Sequence, residues 1–149
     1  LYVIFIFFDM KLSHREFIDI ATMPQLPIYL IHGNPKHLQN EVEGKIHTYY
    51  KKNNFSGKKN IIVDTDFILE ELRKEIEIIP LFESNRIVTL NIVSKTIPQK
   101  LKDILIDSKI PDDLKIIIKL DRQPFVFKKT NFYEWKTSNQ NYVANFLIL

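Results

Sequence analysis

Short runs of apolar residues recur along the chain, and turn residues separate them from the segments that follow. Four of these runs lie at residues 28–31, 61–63, 86–93 and 114–120. A run that is apolar at nearly every position is typical of a strand covered on both faces. We therefore predict four buried strands, and the apolar residues 142–149 predict a final one.

The segments between these runs have the spacing of amphipathic helices. The clearest is residues 36–52, where apolar side chains recur three or four positions apart and so share one helix face. Those side chains are Leu38, Val42, Ile46 and Tyr49 or Tyr50. Further helices are expected to begin near Ser13, Thr65 or Asp66, Pro98 and Phe125.

Strands that alternate with helices along a chain indicate a mostly parallel sheet with helices on both faces. The length of 149 residues suits one domain. We therefore expect an α/β fold built as a single unit over residues 10–149. Residues 1–9 precede Met10, and we expect them to be a non-native upstream extension, translated from before the true start.

The composition is that of an ordinary globular domain and excludes several kinds of site. Apolar residues make up 45% of the chain and charged residues 26%. The chain has no cysteine, which excludes disulfides, thiolate zinc sites and a cysteine nucleophile. We expect no metal site, no cofactor and no membrane partner.

The net charge of +3 is weakly basic, whereas a dedicated nucleic-acid domain usually concentrates more positive charge on one face. Two lysine pairs, Lys51-Lys52 and Lys58-Lys59, lie beside Asn and Gly residues. We expect them in a solvated loop, and phosphate contact is the alternative.

Nucleotide phosphates often bind at the turn after the first strand of such a sheet. Here that turn contains Gly33, Asn34 and Pro35. A phosphate loop needs a second Gly, then Lys, then Ser or Thr, to supply backbone donors, a cation and a magnesium ligand. None of the three is in register, Lys36 comes too early, and Pro35 lacks a donor. We therefore expect no functional phosphate loop and no ATP hydrolysis.

Other candidate chemistry is sparse. Asp64 and Asp121 each follow an apolar strand, where a magnesium-binding acid often lies, but without a phosphate loop we interpret them as strand-end turn residues. The histidines show no metal-binding spacing. They are His14, His32, His37 and His47. No catalytic residue is predicted.

Three stretches, taken in their order and spacing, resemble one protein family. The first is residues 28–34 followed by Leu-Gln-Asn-Glu at 38–41. The second is Ile-Pro-Leu-Phe-Glu-Ser-Asn-Arg at 79–86, whose Leu-Phe-x-Ser-x-Arg element is the most specific part. The third is residues 112–118 followed by Asn131, Phe132 and Trp135. Together they resemble the N-terminal domain of the delta subunit of bacterial DNA polymerase III, over roughly Met10 to Gln140. Pro80 departs from the family pattern, in which Ser is usual.

The resemblance implies an ATPase-like (P-loop NTPase-type) domain without a working nucleotide site. Such a domain binds and opens the ring-shaped sliding clamp, so that the clamp loader can place it on primed DNA during DNA replication. The positions that match the clamp-binding segment are Ile79, Leu81 and Phe82. The domain itself would have no activity, although the assembly to which it belongs is a DNA-directed DNA polymerase, a nucleotidyltransferase.

The resemblance also implies partners and a location. The sliding clamp (beta subunit) is the direct partner. The gamma/tau and delta prime subunits would be contacted through a C-terminal region absent from these residues, and primed DNA through the assembled complex. The expected location is the cytoplasm, at the replisome.

Local sequence leaves alternatives open for several of these side chains. Leu81 and Phe82 are adjacent apolar residues on a connector, and they either project toward a partner or close the core of their own domain. A structural role for Arg86 is at least as well supported as a functional one. Trp135 is expected to pack between helix and sheet. For the whole domain, the alternatives are a nucleotide-dependent enzyme of the same architecture and a direct nucleic-acid binder.

Overall fold

The computed structural model describes nine stretches of the chain. They are residues 2–5, 10–23, 27–33, 35–64, 69–77, 85–94, 98–107, 110–120 and 145–148. The strands are β1 (Tyr2–Phe5), β2 (Met10–Ser13), β3 (Ile28–His32), β4 (Gly57–Val63), β5 (Arg86–Ile92), β6 (Leu114–Leu120) and β7 (Asn145–Ile148). The helices are α1 (His14–Ile18), α2 (Lys36–Lys52), α3 (Leu69–Glu77) and α4 (Gln99–Asp107).

All seven strands form one sheet in the order β2-β1-β7-β3-β6-β5-β4. The strands from β7 to β4 run parallel to their neighbours, whereas β1 is antiparallel to both β2 and β7. The predicted α/β fold with a mostly parallel sheet is therefore confirmed. Residues 2–5, which precede Met10, contribute β1 between β2 and β7.

Each face of the sheet carries its own apolar core, because successive side chains of a strand point to opposite faces. One core lies between α3, α4 and alternate residues of β3 to β6; it is built largely of Ile28, Leu30, Ile61, Val63, Leu72, Ile76, Val88, Leu90, Ile92, Leu101, Ile116 and Ile118. The other core lies under α1 and α2 and consists of Phe17, Met23, Tyr29, Ile31, Val42, Ile46, Tyr50, Ile87 and Ile117. Helices cover both faces, as the apolar strands predicted.

Several predicted elements agree closely with the structure. The helix at residues 36–52 and the strand at 114–120 have the predicted bounds. The strands expected at 28–31 and 86–93 are present as β3 and β5. The helix expected near Pro98 begins at Gln99.

Other predictions need correction. The two lysine pairs do not lie in a loop: Lys51 and Lys52 end α2, while Lys58 and Lys59 belong to β4, which begins at Gly57. β4 tolerates them because it is the edge strand of the sheet, where charged side chains reach water. The residues expected to begin α3, Thr65 and Asp66, lie outside the described residues, as do the expected helix at 125–135 and Trp135.

Candidate functional site

The predicted clamp-binding side chains belong to a connector whose two ends are described. Ile79, Leu81 and Phe82 themselves lie outside the described residues. The helix before them, α3, ends at Glu77, and the strand after them, β5, begins at Arg86. The strand start expected at residue 86 is therefore confirmed.

The Arg86 side chain links the end of α3 to the start of β5. Its side chain is almost fully buried, with 8% of the residue exposed. Its Nε lies 3.3 Å from Oε2 of Glu75, and its Nη2 donates to the backbone carbonyl of the same residue. Its Nη1 lies 3.8 Å from Oδ2 of Asp113, and its backbone N–H donates to the Asp113 carbonyl at 2.8 Å. The last residue of the Leu-Phe-x-Ser-x-Arg element therefore joins α3, β5 and the turn before β6.

A second cation, Lys59, also pairs with the Glu75 carboxylate. Lys59 on β4 donates to the Glu75 carboxylate at 2.9 Å, and Glu71 lies 3.7 Å from the same ammonium group. The hydrogen bond to Glu75 raises the pKa of Lys59. Glu75 thus accepts from cations on two adjacent strands, β4 and β5, which fixes the last turn of α3 against the sheet.

At the other end of the sheet, the carboxyl ends of β3 and β6 are bridged by Gln39. This side chain is fully buried. Its Nε2 donates to the backbone carbonyls of Gly33 at 2.5 Å and Leu120 at 2.6 Å. Gly33 has a φ of 117°, a left-handed conformation that favours glycine and turns the chain from β3 toward α2.

Gln39 lies at an informative position in the chain. Counted from Gly33 in the pattern of a phosphate loop, position 39 is where the phosphate-binding lysine would stand. Here an amide points down onto two strand ends, where a lysine would reach toward a nucleotide. Its Oε1 is buried and has no hydrogen-bond partner among the described residues.

A buried charged cluster lies between α2 and β6, close to the same end of the sheet. Lys119, of which 8% is exposed, donates to Glu43 Oε2 at 2.6 Å and to Asn40 Oδ1 at 3.1 Å. His47 lies 3.4 Å from the other oxygen of Glu43. Burial raises the pKa of the Glu43 carboxyl, but hydrogen bonds and charge from His47 and Lys119 outweigh it and lower the pKa from 4.5 to about 2. Glu43 is therefore ionised at neutral pH and balances the charge of Lys119 inside the fold.

The opposite flank of α2 holds the short helix α1. Lys45 donates to the carbonyls of Phe17, Ile18 and Ile20, at 2.8, 2.5 and 3.0 Å. The Phe17 and Ile18 carbonyls lie at the end of α1 and the Ile20 carbonyl lies just beyond it, so the lysine caps this end of the helix from a neighbouring element. His14 at the start of α1 lies 2.7 Å from Glu41 of α2. Burial lowers the pKa of Lys45.

Only one of the two acidic sequence candidates lies among the described residues. Asp64 is exposed at the end of β4, and Asp121 lies outside the described residues. Among the residues with described side chains, no three His, Asp or Glu side chains are grouped so as to hold a metal ion. Within the same residues, no helix has the length and apolar character needed to cross a bilayer.

Sequence reasoning did not identify Gln39, Lys119 and Glu43 as a group. One signal was present, because Lys119 lies near the end of a strand that is apolar apart from two lysines, and a buried cation requires a partner. The identity of that partner depends on how α2 lies over β6, which the periodicity of α2 alone does not give.

Comparison with known proteins adds no relative. No protein-family model matches the chain, and no curated protein is significantly similar to it.

Proposed function

We propose that this chain is a noncatalytic clamp-loader subunit, related to the delta subunit of bacterial DNA polymerase III. It binds a sliding clamp through Ile79, Leu81 and Phe82 and helps to open the ring for loading on primed DNA. The observation that carries the proposal is the position of the Leu-Phe-x-Ser-x-Arg element: its arginine is buried at the start of β5, and its apolar pair falls in the connector from α3.

The anchoring of this connector supports a role in binding. Arg86 joins both of its ends through Glu75. A segment whose ends are fixed loses less conformational entropy when it binds a partner, so more of the contact energy appears as affinity. Large apolar side chains are typical interface anchors.

The carboxyl end of β3 supports an ATPase-like fold that does not use ATP. A nucleotide would need its phosphates at the turn after β3, since that strand lies between β6 and β7 in the parallel part of the sheet. There the Gln39 amide binds two backbone carbonyls, and no lysine is in register. A domain of this kind acts by binding, and it depends on other subunits for ATP hydrolysis.

The test is clamp binding by the double variant Leu81→Ala with Phe82→Ala, measured by surface plasmon resonance on the cognate sliding clamp. Burying each such side chain in a partner is worth about 1.5–3 kcal/mol. The pair therefore contributes about 3–6 kcal/mol, and its removal is expected to weaken binding about 100-fold or more. Circular dichroism and urea denaturation establish that the variant is folded.

A matched control removes two apolar side chains from elsewhere on the surface. Ile62 and Val93 are both more than half exposed, and Ile62→Ala with Val93→Ala is expected to leave clamp binding unchanged. If the Leu81→Ala and Phe82→Ala variant binds as tightly as the natural chain, the proposal is wrong. Binding of ATP in a fluorescence titration would instead favour the nucleotide-dependent enzyme.

A further inference from the structure

The connector between α3 and β5, residues 78–85, has its last residue fixed to the edge of the sheet. The Asn85 carbonyl accepts from the backbone N–H groups of Ser56 and Gly57, at 3.2 and 3.3 Å. Because β4 begins at Gly57, the exit of the connector is hydrogen-bonded to the start of the edge strand.

The entrance of the connector depends on one carboxylate, that of Glu75 in the last turn of α3. Lys59 Nζ lies 2.9 Å from its Oε1, and Arg86 Nε lies 3.3 Å from its Oε2. Lys59 belongs to β4 and Arg86 to β5, so β4 contributes to holding the connector at both ends. Each oxygen of the carboxylate therefore has its own cation, and this pairing holds the end of α3 beside the starts of the two strands.

Fixing both ends of a segment limits the conformations that the residues between them can adopt. A protein whose binding-competent conformation is only partly populated binds its partner more weakly by that fraction. The association rate carries this loss, since the segment must first reach the competent conformation. The dissociation rate is governed by the contacts of the complex, which a change at the anchor leaves in place.

We propose that Glu75 and Lys59 are positioning residues for clamp binding. Neither contacts the clamp; together they hold the connector in the arrangement from which Leu81 and Phe82 bind. This inference rests on the proposed function and extends it to an ion pair between α3 and β4, outside the clamp-binding segment. An apolar contact with the clamp then depends on a pair of charges that takes no part in it.

The experiment measures the full chain against the cognate sliding clamp by surface plasmon resonance, which separates the two rates. Glu75→Gln keeps the shape of the side chain and removes its charge. It is expected to slow association by about five-fold or more and to leave the dissociation rate within about two-fold. Lys59→Met should slow association as well, whereas Lys59→Arg keeps the cation and should retain the natural rate.

Glu70→Gln is the matched control, because it makes the same change on the same helix at an exposed pair with Arg73. Both rates should stay at their natural values in this variant. Urea denaturation establishes that each variant is fully folded at the assay temperature, where a loss of global stability alone does not lower the affinity.

Hydrogen exchange tests the anchor without the clamp. In Glu75→Gln the amides of residues 78–85 are expected to exchange about five-fold faster, while those of β6 keep their natural rates. Unchanged exchange in the connector would overturn the inference. Faster dissociation in place of slower association would also overturn it, because the side chain would then contact the clamp.

Failure of this inference is distinguishable from failure of the proposed function. If Leu81→Ala with Phe82→Ala weakens clamp binding but Glu75→Gln does not, the positioning role is wrong and the clamp-binding segment stands. If the natural chain does not bind the clamp, or the double variant binds as tightly, both are wrong.

Discussion

The guanidinium group of Arg86 binds Glu75 twice, at its carboxylate and at its backbone carbonyl, and so ties the last turn of α3 to the first residue of β5. The two residues are 11 positions apart and enclose the connector that carries Leu81 and Phe82. An arginine at this position therefore has a structural role whether or not a partner is bound.

Replacing Arg86 with Met is expected to lower the free energy of unfolding by about 2–4 kcal/mol, because Glu75 then keeps a partly buried charge with one partner fewer. Urea denaturation measures this change. Arg73 provides a control, since it forms an exposed pair with Glu70 on α3. Arg73→Met should change the free energy of unfolding by about 0.5 kcal/mol or less. Similar small effects from both changes would contradict the role given to Arg86.

The pKa of Glu43 predicts a specific sensitivity to acid. Its folded-state pKa of about 2 lies below its ordinary value of 4.5, so the unfolded chain binds more protons between these two values. The stabilisation is complete above pH 4.5 and is lost as the pH falls toward 2. Its size is at most about 3 kcal/mol, because solvent screens the partly exposed carboxylate.

Glu43→Gln isolates this contribution, because all other carboxyl groups remain. The variant is expected to be less stable than the natural chain at pH 7, since Lys119 loses its buried anion. It should also lose less stability on acidification from pH 5 to pH 2 in urea denaturation. An equally steep loss in both proteins would show that Glu43 does not carry the effect.

Gln39→Leu is expected to destabilise the fold by about 2–4 kcal/mol, because the carbonyls of Gly33 and Leu120 both lose their side-chain donor. Thermal and urea denaturation measure the loss. Gln99 on α4 is the control: it is exposed and donates to the Asp103 side chain one turn away, so Gln99→Leu should have little effect. A neutral Gln39→Leu change would mean that the bridge between β3 and β6 is dispensable.

Lys45→Met is expected to loosen α1 without unfolding the sheet. The methionine keeps most of the apolar length of the side chain but cannot donate to the carbonyls of Phe17, Ile18 and Ile20. Hydrogen exchange of the amides in α1 should become about ten-fold faster, which corresponds to about 1.4 kcal/mol. Lys36→Met, at the other end of α2, should leave exchange in α1 unchanged. Unchanged exchange in Lys45→Met would exclude the cap.

The helices and strands predicted best from sequence are those whose apolar pattern is set within a single helix or strand. The apolar spacing of α2 indicated its bounds, and the mostly apolar run at residues 114–120 indicated those of β6. β4 was predicted too short, because Lys58 and Lys59 are typical of a loop until the strand is known to be an edge. Edge position is a property of the sheet order, which no local pattern contains.

The role of Gln39 was beyond the sequence for a similar reason. The sequence shows that no phosphate-loop lysine is in register. The hydrogen bond from Gln39 to Leu120, however, joins residues 81 positions apart. That contact exists because β3 and β6 are neighbours, and the chain reaches β6 only after building β4 and β5 on the far side. Long-range neighbours of this kind follow from topology, which single-sequence patterns leave open.

The central place of β3 also has a consequence for how the chain folds during synthesis. Ile28 pairs with Ile116 on one side and with Asn145 on the other, whereas β4 and β5 pair residues as close as Gly57 and Arg86. At ribosomal rates of about 5–20 residues per second, β3 leaves the ribosome several seconds before either neighbour exists. We expect β4 and β5 to associate first and β3 to insert late, so the nascent chain exposes the apolar residues of β3 to chaperones throughout that interval.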